Sequence, residues 1–387
     1  MPGRSPRALL LLATSVVALL ALLVCAALLQ PHLARFFEAR DRDYEPRELV
    51  PGGNVAPSPR VAPTLESLDP AGLEAAADYA GKHGSRALIV SRHDHIVFER
   101  YWRGTSFDSP GDAQSFTRVL AALAVGVALS HRQIGWPDQP VGAFIDEWRD
   151  DPRGAITLRN LLQSTSGLTP AGAQPTKSDL VGELLRRPLG APPGSLRSEQ
   201  SADAQLLALV IERATHERYA AYLSRTVWRR VGAADAFLWL DRPAGTARAD
   251  CCMLAHQGDW IRIGQLLVKD GNYRGEELIR PGWVALLRAP TRADPHYGAF
   301  LRLAVTEAPG VEPYAAADLF AVEGTGGNRM WLVPSLELVV LCTGAPQGRD
   351  AAWSDSRIPN LIMRAARDFH PRGPQRGDGL STLVPGH

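Results

Sequence analysis

Lysine is almost missing from this chain of 387 residues: of 42 basic residues only Lys82, Lys177 and Lys269 are lysines, against 41 acidic residues. No serine stands three residues ahead of a lysine, so the lysine-activated serine motif S-x-x-K is absent. Cysteine is scarce too. The four are Cys25, the neighbouring pair Cys251 and Cys252, and Cys342, with no C-x-x-C spacing, which excludes a zinc ribbon and a disulfide framework. Side chains of adjacent cysteines diverge, so the pair is expected to be small apolar residues in a packed interior. A net charge of +1 and no basic run interleaved with aromatics give no reason to expect nucleic acid. No G-x-S-x-G elbow occurs, which removes support for a Ser-His-Asp α/β-hydrolase. There is no internal repeat.

What is present begins with a long apolar run. Ala8 to Leu29 carries no charge and is mostly Leu, Ala and Val. That is enough for a helix to cross a hydrocarbon core of about 30 Å, and longer than the roughly 7–15 residues of a cleaved signal. An uncleaved membrane anchor over residues 1–30 is expected. The flanking arginines are close to balanced and do not fix its orientation. Residues 31–63, rich in Pro and Gly toward their end, read as a tether, and residues 371–387 as a disordered tail. One domain is expected over residues 64–370.

Within it, a helical stretch near Leu65–His83 precedes two β-rich runs, Arg86–Ser91 and Ile96–Trp102, which form a hairpin around Arg92–His95. Ser115–Ser130 reads as a buried helix, followed by helical groups over Asp203–Val227 and Gln257–Lys269. Met330–Val333 and Leu336–Leu341 flank Pro334-Ser335 as a second hairpin. Strands at both ends of a mostly helical domain suggest one sheet closed by its terminal strands, with a helical subdomain inserted. His93-Asp94-His95 invites a metal reading, but it lies in the first turn with no partner cluster, so a solvated turn is expected and no metal.

Ser115-Phe116-Thr117-Arg118 opens the buried helix. A serine there either caps the helix or aims its hydroxyl into a cleft beside the free N–H groups, with Arg118 on the same face. The wider pattern resembles the serine β-lactamase and penicillin-binding-protein-like hydrolases, especially the class C-related esterases and amide hydrolases. It runs through Ala87-Leu-Ile-Val90, Ala124–Leu129, Asp138–Val141, Ile156–Leu162 and Thr165–Leu168. It resumes at Ala191–Gly194, Gln205–Arg213, Gly324–Asn328 and Val333–Val340, in order from about Leu88 to Thr343. The resemblance implies a β-lactamase/transpeptidase-like α/β (α+β) fold: an antiparallel sheet flanked by helices, a helical subdomain, and the groove between them.

It also implies roles. Ser115 falls where the family's acylating serine lies, and Arg118 where its lysine does. The Y-x-N motif falls on Glu199-Gln200-Ser201, and the glycine-rich strand of the oxyanion hole on Gly324-Thr325-Gly326, continued by Gly327 and Asn328. Every partner of the serine is thus replaced. A guanidinium stays protonated and cannot serve as a base. Two readings follow: Ser115 reacts with Glu199 as general base oriented by Arg118, or Arg118 and Glu199 form an ion pair across an inactive groove that binds ligands. The resemblance implies a small ester or amide, or a cell-wall peptide, as ligand, no cofactor, and an extracytoplasmic domain on the bacterial cytoplasmic membrane. Asp259-Trp260 with Arg262–Gly264 looks like the family's structural helix.

Overall fold

The computed structural model describes residues 46–53, 58–170, 179–198, 202–304, 312–344 and 353–370. The anchor at Ala8–Leu29, the tail, Glu199 and Ser201 lie outside the described residues.

Ala87-Leu-Ile-Val90 has no polar side chain, and the strand it forms, β2 (Ala87–Arg92), is buried along its whole length. It is a central strand. Its neighbours are β3 (His95–Tyr101) and, from the far end of the domain, β10 (Leu338–Thr343), with Val340 opposite Val90. The sheet continues through β9 (Asn328–Val333), β8 (Phe320–Gly324) and β7 (Arg302–Leu303), giving the antiparallel order β3-β2-β10-β9-β8-β7. The sheet is therefore sealed by strands from both ends of the domain, as the sequence pattern suggested.

Alternation at period two sends these strands' side chains to two cores. Leu88, Val90 and Val340 pack with Leu73, Ala77, Ile358 and Ile362 of α1 (Pro70–Lys82) and α5 (Arg357–Ala365). Ile89, Val339 and Leu341 face α4 (Gln257–Val268) in the larger core. Gly264 sets that approach: a Cβ there would lie 2.4 Å from Val339 Cγ1, so only glycine lets the helix lie so close to the sheet. Asp259 and Arg262 of the same helix are structural. Asp259 Oδ1 accepts from the Ala234 amide and Arg262 donates to the Val231 carbonyl.

The helical part holds α2 (Thr117–Ser130), whose side chains from Val119 to Leu129 are all buried, packed on α3 (Ala202–Thr215). An apolar surface all round is the mark of an interior helix. A second antiparallel sheet has the order β1-β5-β6-β4, from β1 (Arg47–Val50), β4 (Pro110–Asp112), β5 (Ala236–Trp239) and β6 (Met253–His256). β4 leads directly into Ser115, and β6 into α4.

Several expectations are corrected. The tether was expected to run to residue 63, yet Arg47–Val50 pair with Trp239–Ala236, and the Gly53 amide donates to the Ala233 carbonyl. The helical stretch expected near Leu65–His83 is a 3₁₀ turn at Pro63–Glu66 and then an α-helix from Pro70, capped by Asp69, whose side chain accepts from the Ala71 amide. The helical group expected over Asp203–Val227 consists of separate helices: α3 ends at Thr215, His216 adopts φ 57°, and a short helix starts at Tyr219, its amide donating to Glu212 at 2.8 Å. The adjacent cysteines are joined as a Cys251–Cys252 disulfide rather than packed as thiols. Cys342 is the buried small residue expected.

Candidate active site

Ser115 sits where β4 runs out. The Ala113 amide donates to the Met253 carbonyl of β6 at 2.9 Å, and the chain then turns sharply, with Gln114 at φ 50°. Asp112 Oδ1 holds the Gln114 amide at 2.8 Å, and Phe116 N–H reaches back to the Ala113 carbonyl at 3.1 Å. A non-glycine residue in the left-handed region persists only where its surroundings impose it. Here two strands and an Asp side chain do so, and the resulting 3₁₀ turn (Gln114–Phe116) presents Ser115 at the head of α2.

The serine does not cap that helix. The residue before α2 is Phe116, with no side-chain capping bond, and the Ser115 hydroxyl instead lies 3.5 Å from Thr325 Oγ1. Thr325 donates in turn to Gln114 Oε1 at 3.2 Å. Sequence reasoning left cap and cleft open; the hydroxyl points across to the glycine-rich segment.

That segment is a turn rather than a strand. Gly324 ends β8 and pairs with Asn328 at the start of β9, leaving Thr325–Gly327 as the tight connection. Gly326 and Gly327 both have φ 79°, conformations glycine takes without steric cost. The turn is pinned from both sides. Asn328 Nδ2 donates to the Asp112 carbonyl at 3.3 Å, and Arg329 donates to the carbonyls of Gly324 (3.2 Å) and Asn328 (3.0 Å). A Cβ at Gly324 would lie 3.0 Å from Phe116 Cδ1. A side chain there would press on the Phe116 ring, which would have to give by a few tenths of an ångström.

Arg118 lies one helical turn beyond Ser115, half-buried, and its Nε donates to the Asp250 carbonyl at 3.3 Å. Around it is a buried set of charges that the sequence did not single out. Asp250 forms a two-point pair with Arg248, at 3.1 and 2.9 Å. Asp203, fully buried in the first turn of α3, has its pKa pushed up to about 7 by burial; Ser166 and the charges of Arg187 and Arg118 act in the opposite direction. Asp203 follows Ser201 by two residues on an apolar helix, and an acid at such a position was the available signal. Ser115, Arg118 and the Gly324–Asn328 turn are thus brought together.

His93 and His95 are elsewhere, at the β2–β3 turn, where Glu66 accepts from both rings at 2.6 and 2.5 Å. Burial pushes the Glu66 carboxyl up, but the two rings outweigh it and leave its pKa lowered. No group of side chains suited to a metal occurs among the described residues.

The sequence profile of the Beta-lactamase family matches residues 71–349. The 6-aminohexanoate-dimer hydrolase of Paenarthrobacter ureafaciens is 24% identical over 220 residues, 51% of this chain and 55% of that protein, so the chain spans about half the length of this curated relative. Among solved structures, a Bacillus anthracis protein assigned as a 6-aminohexanoate-dimer hydrolase superposes with a TM-score of 0.67 at 16% identity, covering 84% of this chain and 90% of its own. A penicillin-binding protein homologue from Caulobacter crescentus gives 0.61 at 16% identity, covering 76% of this chain and 97% of its own.

Proposed function

Because the chain belongs to the β-lactamase family, we propose that it is a serine hydrolase acting on small esters or amides through Ser115. The observation that carries this is the direction of the Ser115 hydroxyl: away from the helix it precedes and toward Thr325 on the glycine turn. Attack forms a bond from Oγ to the carbonyl carbon and breaks the bond to the leaving alcohol or amine. Glu199 takes the serine proton and passes it to the leaving group, and water then cleaves the acyl-enzyme. Arg118 orients Glu199 and cannot itself be the base. The amide-cleaving activity in the name of the Paenarthrobacter relative supports including short linear amides among the substrates. In this reading Ala8–Leu29 tethers the domain to the outer face of the bacterial cytoplasmic membrane.

A second reading is favoured by one observation. Arg118 donates to the Asp250 carbonyl, which supports a groove that binds a ligand, such as a cell-wall peptide, without acylating. A fluorophosphonate probe separates the two. Labelling that disappears in Ser115→Ala is expected; absence of labelling from pH 5 to pH 9 would leave the binding reading.

A further inference from the structure

We propose that the Cys251–Cys252 disulfide is a positioning element of the Ser115 site, and that its reduction loosens the turn carrying the serine. The segment Asp250–Met253 runs beside Ala113–Arg118 and is tied to it at both ends. The Met253 carbonyl accepts the Ala113 amide at 2.9 Å, and the Asp250 carbonyl accepts Arg118 Nε at 3.3 Å. Ser115 lies between the two donors, and the two cysteines lie between the two acceptors.

A bond between neighbouring side chains closes a small ring over the Cys251–Cys252 peptide and takes freedom from the backbone that sets the spacing of those carbonyls. Cys252 is held at φ 70°, a region that side-chain-bearing residues avoid, and its carbonyl is further fixed by the Trp239 amide at 3.3 Å. Opening the ring lets Cys252 relax toward negative φ. That rotation moves the Asp250 carbonyl under Arg118, beside the Arg248–Asp250 pair.

Both cysteines are half-buried, within reach of a small dithiol. Dithiothreitol supplies the two electrons and two protons. The S–S bond breaks into two thiols, and the reagent closes to its cyclic disulfide. Cys342 stays silent, since it is fully buried and its thiol is pushed up to about 11.

The test uses the full chain with and without dithiothreitol. Reduction is expected to add two reactive thiols per chain to a dithionitrobenzoate titration. Amide exchange in the peptide containing Ala113 and Arg118 is expected to speed up about tenfold, a local opening. Ser115 labelling by fluorophosphonate is expected to fall by about the same factor. The double variant Cys251→Ser/Cys252→Ser should resemble the reduced protein and ignore the reductant. Thiols released with unchanged exchange around Ala113, failure to release two thiols, or exchange accelerated uniformly along the chain would each overturn the proposal. The inference does not need Ser115 to acylate: no labelling in either state, with exchange still accelerated, removes the hydrolase reading and leaves the disulfide's role standing.

Discussion

Asp203 is one residue through which pH should act on this protein. Its carboxyl prefers its proton in the fold, with a pKa of about 7 caused first by burial, whereas an unfolded aspartate sits near ~3.9. Below the unfolded value both states are protonated and nothing is lost. As pH rises toward 7 the unfolded chain sheds a proton the fold retains, so stability falls, by at most on the order of 4 kcal/mol. Asp203→Asn is expected to flatten the melting profile between about pH 4 and pH 7, measured by circular dichroism; an unchanged slope assigns it to other groups. Glu199→Gln tests chemistry instead. If Glu199 is the base, deacylation and labelling drop by about 10²–10⁴, with the melting temperature shifting by only a few degrees.

At this scale the sequence was half readable. Ser115 and the glycines could be placed because glycine and a helix-opening serine leave local signatures. The charges around Arg118 could not: Arg187, Asp203 and the Arg248–Asp250 pair come from three separate parts of the chain, and only the fold brings them together. Adjacent cysteines gave a misleading signal, since divergence of neighbouring side chains is overcome when the peptide between them adopts an unusual φ.

Elements were legible where one periodicity ran unbroken. The apolar strands β2 and β10 and the helix α2, apolar from Val119 to Leu129, were placed to within a residue or two, because burial on every side leaves no competing pattern. Within the helical group the break after Thr215 comes with a backbone angle, His216 at φ 57°, which apolar periodicity does not report. The contact between α4 and the sheet offers a clean test. Gly264→Ala puts a methyl 2.4 Å from Val339 Cγ1, backed by Met330 Sδ at 3.0 Å. The helix must shift, at a cost of about 1–3 kcal/mol. A melting temperature within a degree of the native one would mean that the layers slide apart freely.

For the whole molecule, the consequence is where the body begins. A chain starting near residue 60 discards β1, exposes the edge of β5 and removes the ion pair of Glu48 with Arg218. An unpaired edge is a template for association with other chains. A chain starting at Pro46 is expected to melt several degrees higher than one starting at Arg60 and to elute without aggregates on size exclusion; equal behaviour would make β1 dispensable.

The pairing of β2 with β10 has a consequence in time as well as in space. Residues near 90 and near 340 are partners at the centre of the main sheet. During synthesis the first hairpin therefore waits, one flank bare, until almost the entire domain has left the ribosome. At about 5–20 residues per second that interval is on the order of ten seconds or more. Contacts so distant in sequence also make for slow closure and a period of exposed strand edge. Chaperone demand in this protein should thus fall late in translation, and ribosome stalling ahead of β10 should yield chains that are digested by protease at the β2–β3 hairpin, while stalling after it should not.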